Sequence, residues 1–401
     1  MEPGDTNWEP HAAQLRHQIA GILGFPAEKG PLDAETHRTI DGGAYTIEPV
    51  TFASEPGSRV TALLYLPRPL DGPVPGILVA AGHGGSKSAL SCQYTGQLYS
   101  LLGFACLVLD TIGEEERHVE RKMGTRAHDM YHFKTSEERR AFVRTELKRL
   151  VLGKIIWDLV RGLDYLESRP EIDPARLGAI GNSLGGATGG CVAVLDARVR
   201  AAIVSGWGFS VLGLDSKDCT SMPYEAFAEI MSFDEMTALL APHAATVFIN
   251  GTRDSIIDPK EDGAGLVRHV RSGIAGARQI LADAGVDGTI EAHFVPGACH
   301  RPYILTHPAA AWMQQHLMPP EARRPIPEGI VKYGDWVDAC GKRIEELYDT
   351  EMRQRGARCV DIGAVYRSPR DLACFPERAR PTPEYTWQGW VERQTGSSAA
   401  E

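Results

Sequence analysis

The sequence predicts an α/β protein with a mostly parallel central sheet and helices on both faces. Six short apolar runs without polar alternation recur between residues 75 and 297, and helical stretches separate them. Runs of this kind are typical of strands that helices cover on both faces, and their alternation with helices implies parallel neighbours. Upstream, the runs AYTIEPVTFAS and RVTALLYLP flank Pro56-Gly57, which predicts an antiparallel hairpin at the entrance of the sheet.

The predicted strands and helices follow one another along the chain in an order that leaves few long connections. The predicted strands are PGILVAAG (75–82), FACLVLD (104–110), RLGAIG (176–181), RAAIVSGW (200–207), TVFING (246–251) and IEAHFVPG (290–297). The predicted helices are residues 9–24, SCQYTGQLYSLLG (91–103), KIIWDLVRGLDYLESRP (154–170), GLVRHVRSGIAGARQILADAG (265–285) and HPAAAWMQQHL (307–317).

The chain of 401 residues is long enough for one large domain with extensions. We predict a helical N-terminal extension over 1–36, a catalytic domain over 37–320 and a C-terminal extension over 321–401. Residues 111–150 are long, charged and histidine-rich, and we interpret them as an insertion because so long a connection is either functional or an added structure. Within the C-terminal extension we predict a helix over 335–356 and disorder over the last fifteen or so residues.

Composition excludes several classes of function. The formal net charge is −10 and the basic residues are dispersed, so no nucleic-acid partner is expected. No run of eighteen apolar residues exists, so no membrane partner is expected either. The N-terminus carries acids where a signal peptide carries positive charge, which predicts a cytoplasmic protein. A homo-oligomer is compatible with this composition.

Eight cysteines occur, and none forms a C-x-x-C pair that would indicate a zinc or redox site. We expect all of them reduced in a cytosolic protein, with Cys106 and Cys191 buried in apolar runs. Cys340, Cys359 and Cys374 cluster late in the chain, and the sequence leaves open whether two of them form a disulfide.

The most informative motif is Gly181-Asn182-Ser183-Leu184-Gly185. Composition alone produces the G-x-S-x-G pattern about 0.2 times in a chain of this length, so its context decides. Ser183 follows a predicted strand and precedes a predicted helix rich in small residues, which is the arrangement of a nucleophile elbow. The sharp strand-to-helix turn exposes the serine hydroxyl at the carboxyl edge of the sheet. The alternative is an ordinary turn serine.

A nucleophilic serine requires a base, and the expected chain order is serine, acid, histidine. Among the downstream histidines, His300 in VPGACHRPY follows the last strand and precedes the final helix. A loop at that place can bring the imidazole over Ser183. His293 lies inside the strand, whereas His307 and His316 belong to the final helix. We therefore predict that His300 is the general base.

The acid is expected at the end of the preceding strand, in TVFINGTRDSIIDP. Asp254 follows Asn250-Gly251 at turn distance and is the predicted third member. Asp258 precedes a proline and is interpreted as a helix cap. In this arrangement Asp254 orients His300, His300 takes the proton and Ser183 attacks.

The developing oxyanion needs backbone donors. One is the amide of Leu184, directly after the serine. The other is expected in the loop AAGHGGSK after the first parallel strand, at His83, with Gly84 as the alternative.

Five segments together resemble one superfamily of enzymes. They are GHGGSK (82–87), LDTIGEEER (109–117), WDLVRGLDYLESRPEIDPARLGAIGNSLGG (157–186), INGTRD (249–254) and HRPYIL (300–305). They resemble the α/β-hydrolase superfamily, in its acetyl xylan esterase-like branch, which is related to dienelactone hydrolases and prolyl oligopeptidase-type hydrolases. The resemblance covers residues 40–318 and implies an α/β-hydrolase fold, a serine hydrolase without cofactor, and Ser183, Asp254 and His300 at the triad positions. Asn182 and Leu184 differ from the residues that flank the serine in carbohydrate acetyl esterases, so the resemblance implies the reaction rather than the substrate.

Further residues are candidates for binding the substrate. Trp207 ends a strand at the active edge and either walls the substrate pocket or packs in the core. Tyr131 and His132 lie in the insertion, which we predict to be a lid. His128 and His132 have i, i+4 spacing but no glutamate between them, so no metal site is predicted.

The predicted function is hydrolysis of a small-molecule carboxylic ester with a small acyl group, such as acetyl, through an acyl-enzyme. A peptidase or amidase of the prolyl oligopeptidase-like type shares the triad and is the alternative enzyme. A hydrolase-fold binding protein that has lost catalysis is the alternative outside enzymes.

Overall fold

The computed structural model of the chain describes residues 8–125, 151–208, 224–258, 260–332, 358–376 and 379–395. Its strands are β1 Glu35–Thr36, β2 Ile40–Asp41, β3 Tyr45–Glu55, β4 Ser58–Pro67, β5 Val74–Ala80, β6 Ala105–Leu109, β7 Ile172–Asn182, β8 Val199–Ser205, β9 Ala245–Gly251, β10 Ile290–Val295, β11 Ile330–Lys332 and β12 Arg358–Val360. Its α-helices are Trp8–Ile22, Leu90–Leu101, Val151–Ser168, Leu184–Leu195, Tyr224–Ala228, Phe233–Ala238, Ala264–Asp283, His307–Leu317, Pro369–Leu372 and Trp387–Thr395.

Ten strands form one sheet in the order β1-β3-β4-β6-β5-β7-β8-β9-β10, with β2 paired to β3. Neighbouring strands are parallel throughout the part of the sheet with the order β6-β5-β7-β8-β9-β10. In contrast, β4 is antiparallel to both of its neighbours, β3 and β6. The mostly parallel sheet and its antiparallel entrance were both predicted, and both are confirmed. The predicted hairpin is the β3–β4 pair.

The direction of the chain across the sheet reverses at β5. From β5 the chain passes through the helix Leu90–Leu101 to β6 on one side, and then through the helix Val151–Ser168 to β7 on the other side. The connections that leave β5 and β7 therefore diverge at the carboxyl edge and open a crevice between them. Such a reversal is where ligands bind in open α/β sheets, and the Ser183 elbow leaves β7 at this place.

Each face of the sheet buries its own hydrophobic cluster. On β5, Leu78 and Ala80 belong to one cluster whereas Ile77 and Val79 belong to the other, because successive side chains of a strand point to opposite faces. The first cluster includes side chains of the helices Trp8–Ile22, Val151–Ser168, Leu184–Leu195 and Ala264–Asp283. The second includes those of Leu90–Leu101 and His307–Leu317.

The C-terminal segment packs against the same domain. Trp387 and Trp390 lie in the helix Trp387–Thr395, are fully buried and belong to the first hydrophobic cluster. The Trp390 Nε1 group also donates a hydrogen bond to Glu55 on β3 (3.0 Å). The prediction of disorder was therefore wrong for residues 387–395. The two tryptophans at i, i+3 form an apolar stripe on one side of the helix, a signal that the polar tail around them obscured. The helix predicted over 335–356 lies outside the described residues.

Within the described ranges, no helix is long and apolar enough to span a membrane. Six cysteines are described, and all are free thiols: Cys92, Cys106, Cys191, Cys299, Cys359 and Cys374. Cys106 and Cys191 are fully buried, as predicted.

Candidate active site

Ser183 occupies a strained turn between β7 and the helix Leu184–Leu195, which we call the elbow helix. Its backbone dihedrals are φ 61° and ψ −125°, a conformation that residues with a side chain rarely adopt. The serine amide donates to the carbonyl of Ser205 on β8 (2.9 Å), and the serine carbonyl accepts the first bond of the elbow helix from Ala187 (3.1 Å). Strand and helix together hold the turn, and the residue keeps 8% of its surface exposed.

The two glycines of the motif are required by close approach of the backbone. A Cβ atom at Gly181 would lie 2.0 Å from the Gly185 carbonyl oxygen, and one at Gly185 would lie 2.0 Å from the Ala80 carbonyl oxygen. No side chain fits at either place, so the elbow helix can pack directly on β5 and β7 only with glycine there. The context on which the elbow prediction depended is therefore present.

The strain at Ser183 leads to a prediction about stability. A backbone in a sparsely populated region costs about 1–3 kcal/mol, and glycine removes that cost but loses about 0.5–1 kcal/mol through its greater freedom in the unfolded chain. We expect Ser183→Gly to raise the free energy of unfolding by about 1 kcal/mol, measured by denaturant titration. Ser183→Ala keeps the strain and is expected to leave it within about 0.5 kcal/mol of wild type. Equal effects of the two variants would show that the turn stores no strain.

His300 and Asp254 are joined by a hydrogen bond. The His300 Nδ1 atom lies 2.8 Å from the Asp254 Oδ2 atom, and the aspartate is fully buried while the histidine side chain is 15% exposed. The other carboxylate oxygen of Asp254 accepts from the amide of Ile257 (3.1 Å). Asp254 is thus fixed on one side by the backbone and orients the imidazole with the other.

Ser183 and His300 both adjoin the carboxyl end of β8. The Ser183 amide is hydrogen-bonded to the carbonyl of Ser205. Gly206 follows Ser205, and a Cβ atom built on it would lie 2.9 Å from His300 Cε1. The same Cβ would lie 3.0 Å from the Asn182 Oδ1 atom, which accepts a hydrogen bond from the Ser205 hydroxyl (2.5 Å). The structure thus brings the predicted nucleophile, base and acid to one edge of the sheet, from the ends of β7, β9 and β10.

The alternatives for the acid and the base take other places. Asp258 is almost fully buried and its two carboxylate oxygens accept from the amides of Glu261 and Leu266, both at 3.2 Å, which is the capping role predicted for it. His293 is exposed on the edge strand β10, and His307 is exposed at the start of the last long helix.

The loop that follows β5 lies against the elbow. A Cβ atom at Gly82 would lie 3.6 Å from Ser183 Cβ, and the Gly85 amide closes a turn on the Gly82 carbonyl (3.0 Å). Gly84 has φ +64°, a left-handed conformation that glycine adopts without strain. We call residues 82–88 the glycine loop. The predicted oxyanion donors His83 and Gly84 lie in it, beside the serine.

The first part of the predicted insertion covers the glycine loop. A Cβ atom at Gly84 would lie 3.2 Å from Gly124 Cα. The Glu114 carboxylate accepts from the amides of Gly124 (2.5 Å) and Thr125 (3.2 Å) and thereby folds this segment back on itself. Tyr131, His132 and His128 lie outside the described residues.

Trp207 lies in the hydrophobic core beside the elbow helix. The residue is 3% exposed, and its backbone exchanges two hydrogen bonds with the Asn250 side chain, at 2.9 and 3.1 Å. This placement favours the packing alternative, and contact with substrate stays a prediction.

Sequence reasoning missed a buried cluster of charges behind the glycine loop. The ammonium of Lys87 lies 2.6 Å from Asp110 Oδ2, 2.7 Å from Glu115 Oε1 and 2.9 Å from Glu116 Oε2. The three carboxylates offer oxygens within 4.8 Å of one another, a spacing that suits a cation, and the lysine supplies that cation itself. The run Glu114-Glu115-Glu116-Arg117, which begins shortly after β6, was the available signal.

The charges of this cluster shift one another's ionisation. Burial alone lowers the pKa of Lys87, but the surrounding carboxylates, led by Asp110, raise it well above its ordinary value. Burial and the neighbouring Glu115 raise the pKa of Asp110 to about 7. Burial opposes ionisation of Glu116, yet Lys87 and two backbone amides lower its pKa overall. The carboxylates around Lys87 therefore favour its charged form.

Comparison with known proteins agrees with this architecture. The family model of acetyl xylan esterase (AXE1) matches residues 35–233. The chain is 27% identical over 198 residues to the "Putative hydrolase YtaP" of Bacillus subtilis (strain 168). That match covers 48% of this chain and 62% of the relative.

Solved structures of several esterases have the same fold. Methylesterase BT1017 is similar over 97% of this chain and 74% of its own, with a TM-score of 0.60 and 16% identity. A promiscuous CE15 esterase from a marine bacterial metagenome is similar over 77% and 91% of the two chains, with a TM-score of 0.54 and 16% identity. Acetyl xylan esterase 1 from Thermoanaerobacterium sp. JW/SL YS485 is similar over 76% and 91%, with a TM-score of 0.51 and 14% identity. The chain has the fold of the α/β-hydrolase esterases, and its residues 35–233 match the acetyl xylan esterase family.

Proposed function

We propose that this chain hydrolyses a small-molecule carboxylic ester through a covalent acyl-enzyme, with Ser183 as nucleophile, His300 as general base and Asp254 as the residue that orients His300. The observation that carries the proposal is the 2.8 Å hydrogen bond between His300 Nδ1 and Asp254 Oδ2, at the sheet edge where the strained Ser183 turn lies. Each residue follows the end of a different strand, which is the arrangement of a catalytic triad in an α/β-hydrolase fold.

The proton moves in a fixed direction in this mechanism. Asp254 accepts from the Nδ1–H group of His300, so the Nε2 atom has a free lone pair and can take the Ser183 proton. The serine oxygen attacks the ester carbonyl, and the protonated imidazole then gives its proton to the departing alcohol. A water molecule, activated by the same Nε2 atom, hydrolyses the acyl-enzyme and restores Ser183.

The oxyanion of the tetrahedral intermediate needs donors that are already in place. The Leu184 amide is the first of the elbow helix, and the first amides of a helix have no acceptor within it. The second donor is the amide of His83, or that of Gly84 in the same turn. A Cβ atom built on Gly82 would lie 3.6 Å from Ser183 Cβ, and this proximity of the loop backbone to the serine supports a donor from this loop.

The acyl group is small in our leading proposal, and acetyl is the first candidate because the family model matched over residues 35–233 is that of acetyl xylan esterase. A second candidate is the methyl ester of a larger acid. Its support is the similarity to a methylesterase along 97% of this chain. The two candidates differ in which side of the ester is small.

An ester panel that varies the two sides independently distinguishes these candidates. One series keeps a nitrophenyl alcohol and lengthens the acyl group from acetyl to octanoyl, and the other keeps methanol and enlarges the acid up to a uronic acid. An acetyl esterase loses kcat/KM steeply along the first series, whereas a methylesterase gains along the second. Hydrolysis of peptides or anilides in preference to esters would instead indicate the amidase alternative. A chain that turns over nothing and does not react with a fluorophosphonate would be a binding protein.

The insertion is expected to set ester selectivity. Its described part lies on the glycine loop beside Ser183, and residues 126–150 continue from there. We expect Tyr131→Ala with His132→Ala to change the kcat/KM ratio of small to bulky esters at least about fivefold. The melting temperature is expected to stay within about 2 °C, because we predict this segment to be a lid, and substitutions in a lid cost the fold little stability. The measurement is the ester panel together with thermal unfolding. An unchanged ester preference with a clearly lower melting temperature would mean that this segment only packs.

A further inference from the structure

The glycine loop has to be rigid if it supplies an oxyanion donor. Residues Gly82, Gly84 and Gly85 give this turn more backbone freedom than any other residue type would. A preorganised donor stabilises the transition state only if it does not have to reorient during the reaction, and a displacement of about 1 Å can cost on the order of a hundredfold in rate. Something beyond the glycines must therefore fix the loop.

Two buried carboxylates hold the carboxyl end of the loop. Asp110, directly after β6, accepts from both ends of Lys87: from its amide at 2.8 Å and from its ammonium at 2.6 Å. Glu115 accepts from the same ammonium at 2.7 Å, from the Ser88 hydroxyl at 2.5 Å and from the Ser88 amide at 3.3 Å. The Lys87 side chain is fully buried, so water does not compete for these bonds.

The chemistry of lysine matches this position. An ammonium has three donors that point in different directions, and Lys87 directs them at three carboxylates of the segment that follows β6. The backbone of Glu115 has φ 49°, a left-handed conformation that is costly for glutamate. A hydrogen bond from the Glu115 amide to the Lys122 carbonyl (2.7 Å) holds it in this conformation. A buried cation between three acids is costly to assemble, which argues that it has a role beyond stability.

We infer that Lys87 is a positioning residue, which acts together with Asp110 and Glu115 to fix the glycine loop and so to place the oxyanion donor beside Ser183. This inference rests on the proposed function. Glu116 contacts the same ammonium but faces away from the loop, because its two oxygens accept from the amides of Cys374 (2.8 Å) and Phe375 (2.9 Å) in the C-terminal segment.

That difference supplies a matched pair of variants. Glu115→Gln and Glu116→Gln each remove one buried charge from the same lysine, but only Glu115 also holds Ser88. Lys87→Met is the direct variant, and it leaves three carboxylates without their cation, so it is expected to fold poorly. The glutamine pair is therefore decisive, and both variants are first checked for wild-type thermal unfolding to within a few degrees.

We expect Glu115→Gln to lower kcat about 10- to 100-fold and to change KM less than about threefold, because the oxyanion contact is made in the transition state. Amide hydrogen exchange over residues 82–88 is expected to become at least about tenfold faster. Glu116→Gln is expected to keep kcat within about threefold and to loosen residues 373–376 instead.

The inference is overturned if a folded Glu115→Gln variant keeps both the wild-type kcat and the wild-type exchange in the glycine loop, or if the two variants lower kcat equally. Failure of the proposed function has a different signature, since wild type would then show no ester hydrolysis that depends on Ser183. The exchange rates of residues 82–88 decide the positioning role in that case as well.

Discussion

Replacing Ser183 with alanine is expected to lower kcat for ester hydrolysis by at least about a thousandfold, with the fold unchanged. Loss of a serine nucleophile removes the covalent route entirely, and only the weak catalysis by the oxyanion donors and by binding remains. The hydroxyl makes no hydrogen bond that the fold needs among those described around it, since Ser183 is held by its own amide and carbonyl. Hydrolysis of a nitrophenyl acetate under saturating substrate, with circular dichroism and thermal unfolding, measures the effect.

A matched control for this variant is Ser168→Ala. Ser168 ends the helix Val151–Ser168, where its hydroxyl donates to the carbonyl of Tyr165 (2.8 Å). It lies at the opposite end of β7 from the elbow, so kcat is expected to stay within about twofold. A fluorophosphonate should label wild type and the Ser168 variant, and should fail to label the Ser183 variant. If the Ser183 variant kept a tenth of wild-type activity, another group would be the nucleophile.

Much of the fold could be predicted because its signals are local. The strands β5 to β9 are short buried apolar runs bounded by glycine, proline and aspartate, and β10 is a partly exposed run at the edge of the sheet. Each of the six predicted runs became a strand. Their order in the sheet, with the reversal at β5, depends on how helices cross the two faces, and no run of sequence encodes that directly.

The candidate site also contains residues that local sequence could predict and residues that only the fold brings together. Ser183 and its two glycines form a continuous motif, and the close approaches at Gly181 and Gly185 explain why the motif has that spacing. Asp254 and His300 are separated by 46 residues, yet each follows a strand, so strand ends could predict them. The Lys87 cluster joins residues 87, 110, 115 and 116 to the backbone at 374 and 375, and only the folded chain shows that one ammonium connects them.

In the C-terminal segment, the sequence predicted disorder where the structure has a helix. The last residues read as polar and disordered, but a short helix gains stability from the surface it buries rather than from its own propensity. Trp387 and Trp390 stack at 5.6 Å between ring centroids and bury both rings against β3 and its neighbours. Two large aromatic side chains outweigh the polar residues around them, because each buries on the order of 200 Å².

The choice between Asp254 and Asp258 gives the second large prediction. Asp254→Asn is expected to lower kcat by about a thousandfold or more, because an amide in place of the carboxylate can donate to His300 Nδ1. The amide of Ile257 donates to the other oxygen of Asp254 (3.1 Å). The same amide would hold the carbonyl oxygen of the substituted side chain at that place and so turn its NH₂ group toward His300 Nδ1. The imidazole would then carry its proton on Nε2 and could not accept one from Ser183. Steady-state kinetics on the acetate ester measures the loss.

Asp258→Asn is the matched control, because Asp258 is equally buried and four residues away. Both of its oxygens accept from backbone amides that begin a turn and a helix, so the variant is expected to lose about 1 kcal/mol of stability, the usual worth of a cap, and to keep kcat within about threefold. The two variants thus predict opposite patterns: lost rate with little lost stability at 254, and lost stability with retained rate at 258. If Asp258→Asn were the variant that lost rate, the 2.8 Å contact between His300 and Asp254 would be structural, and the proposed triad would need a different acid.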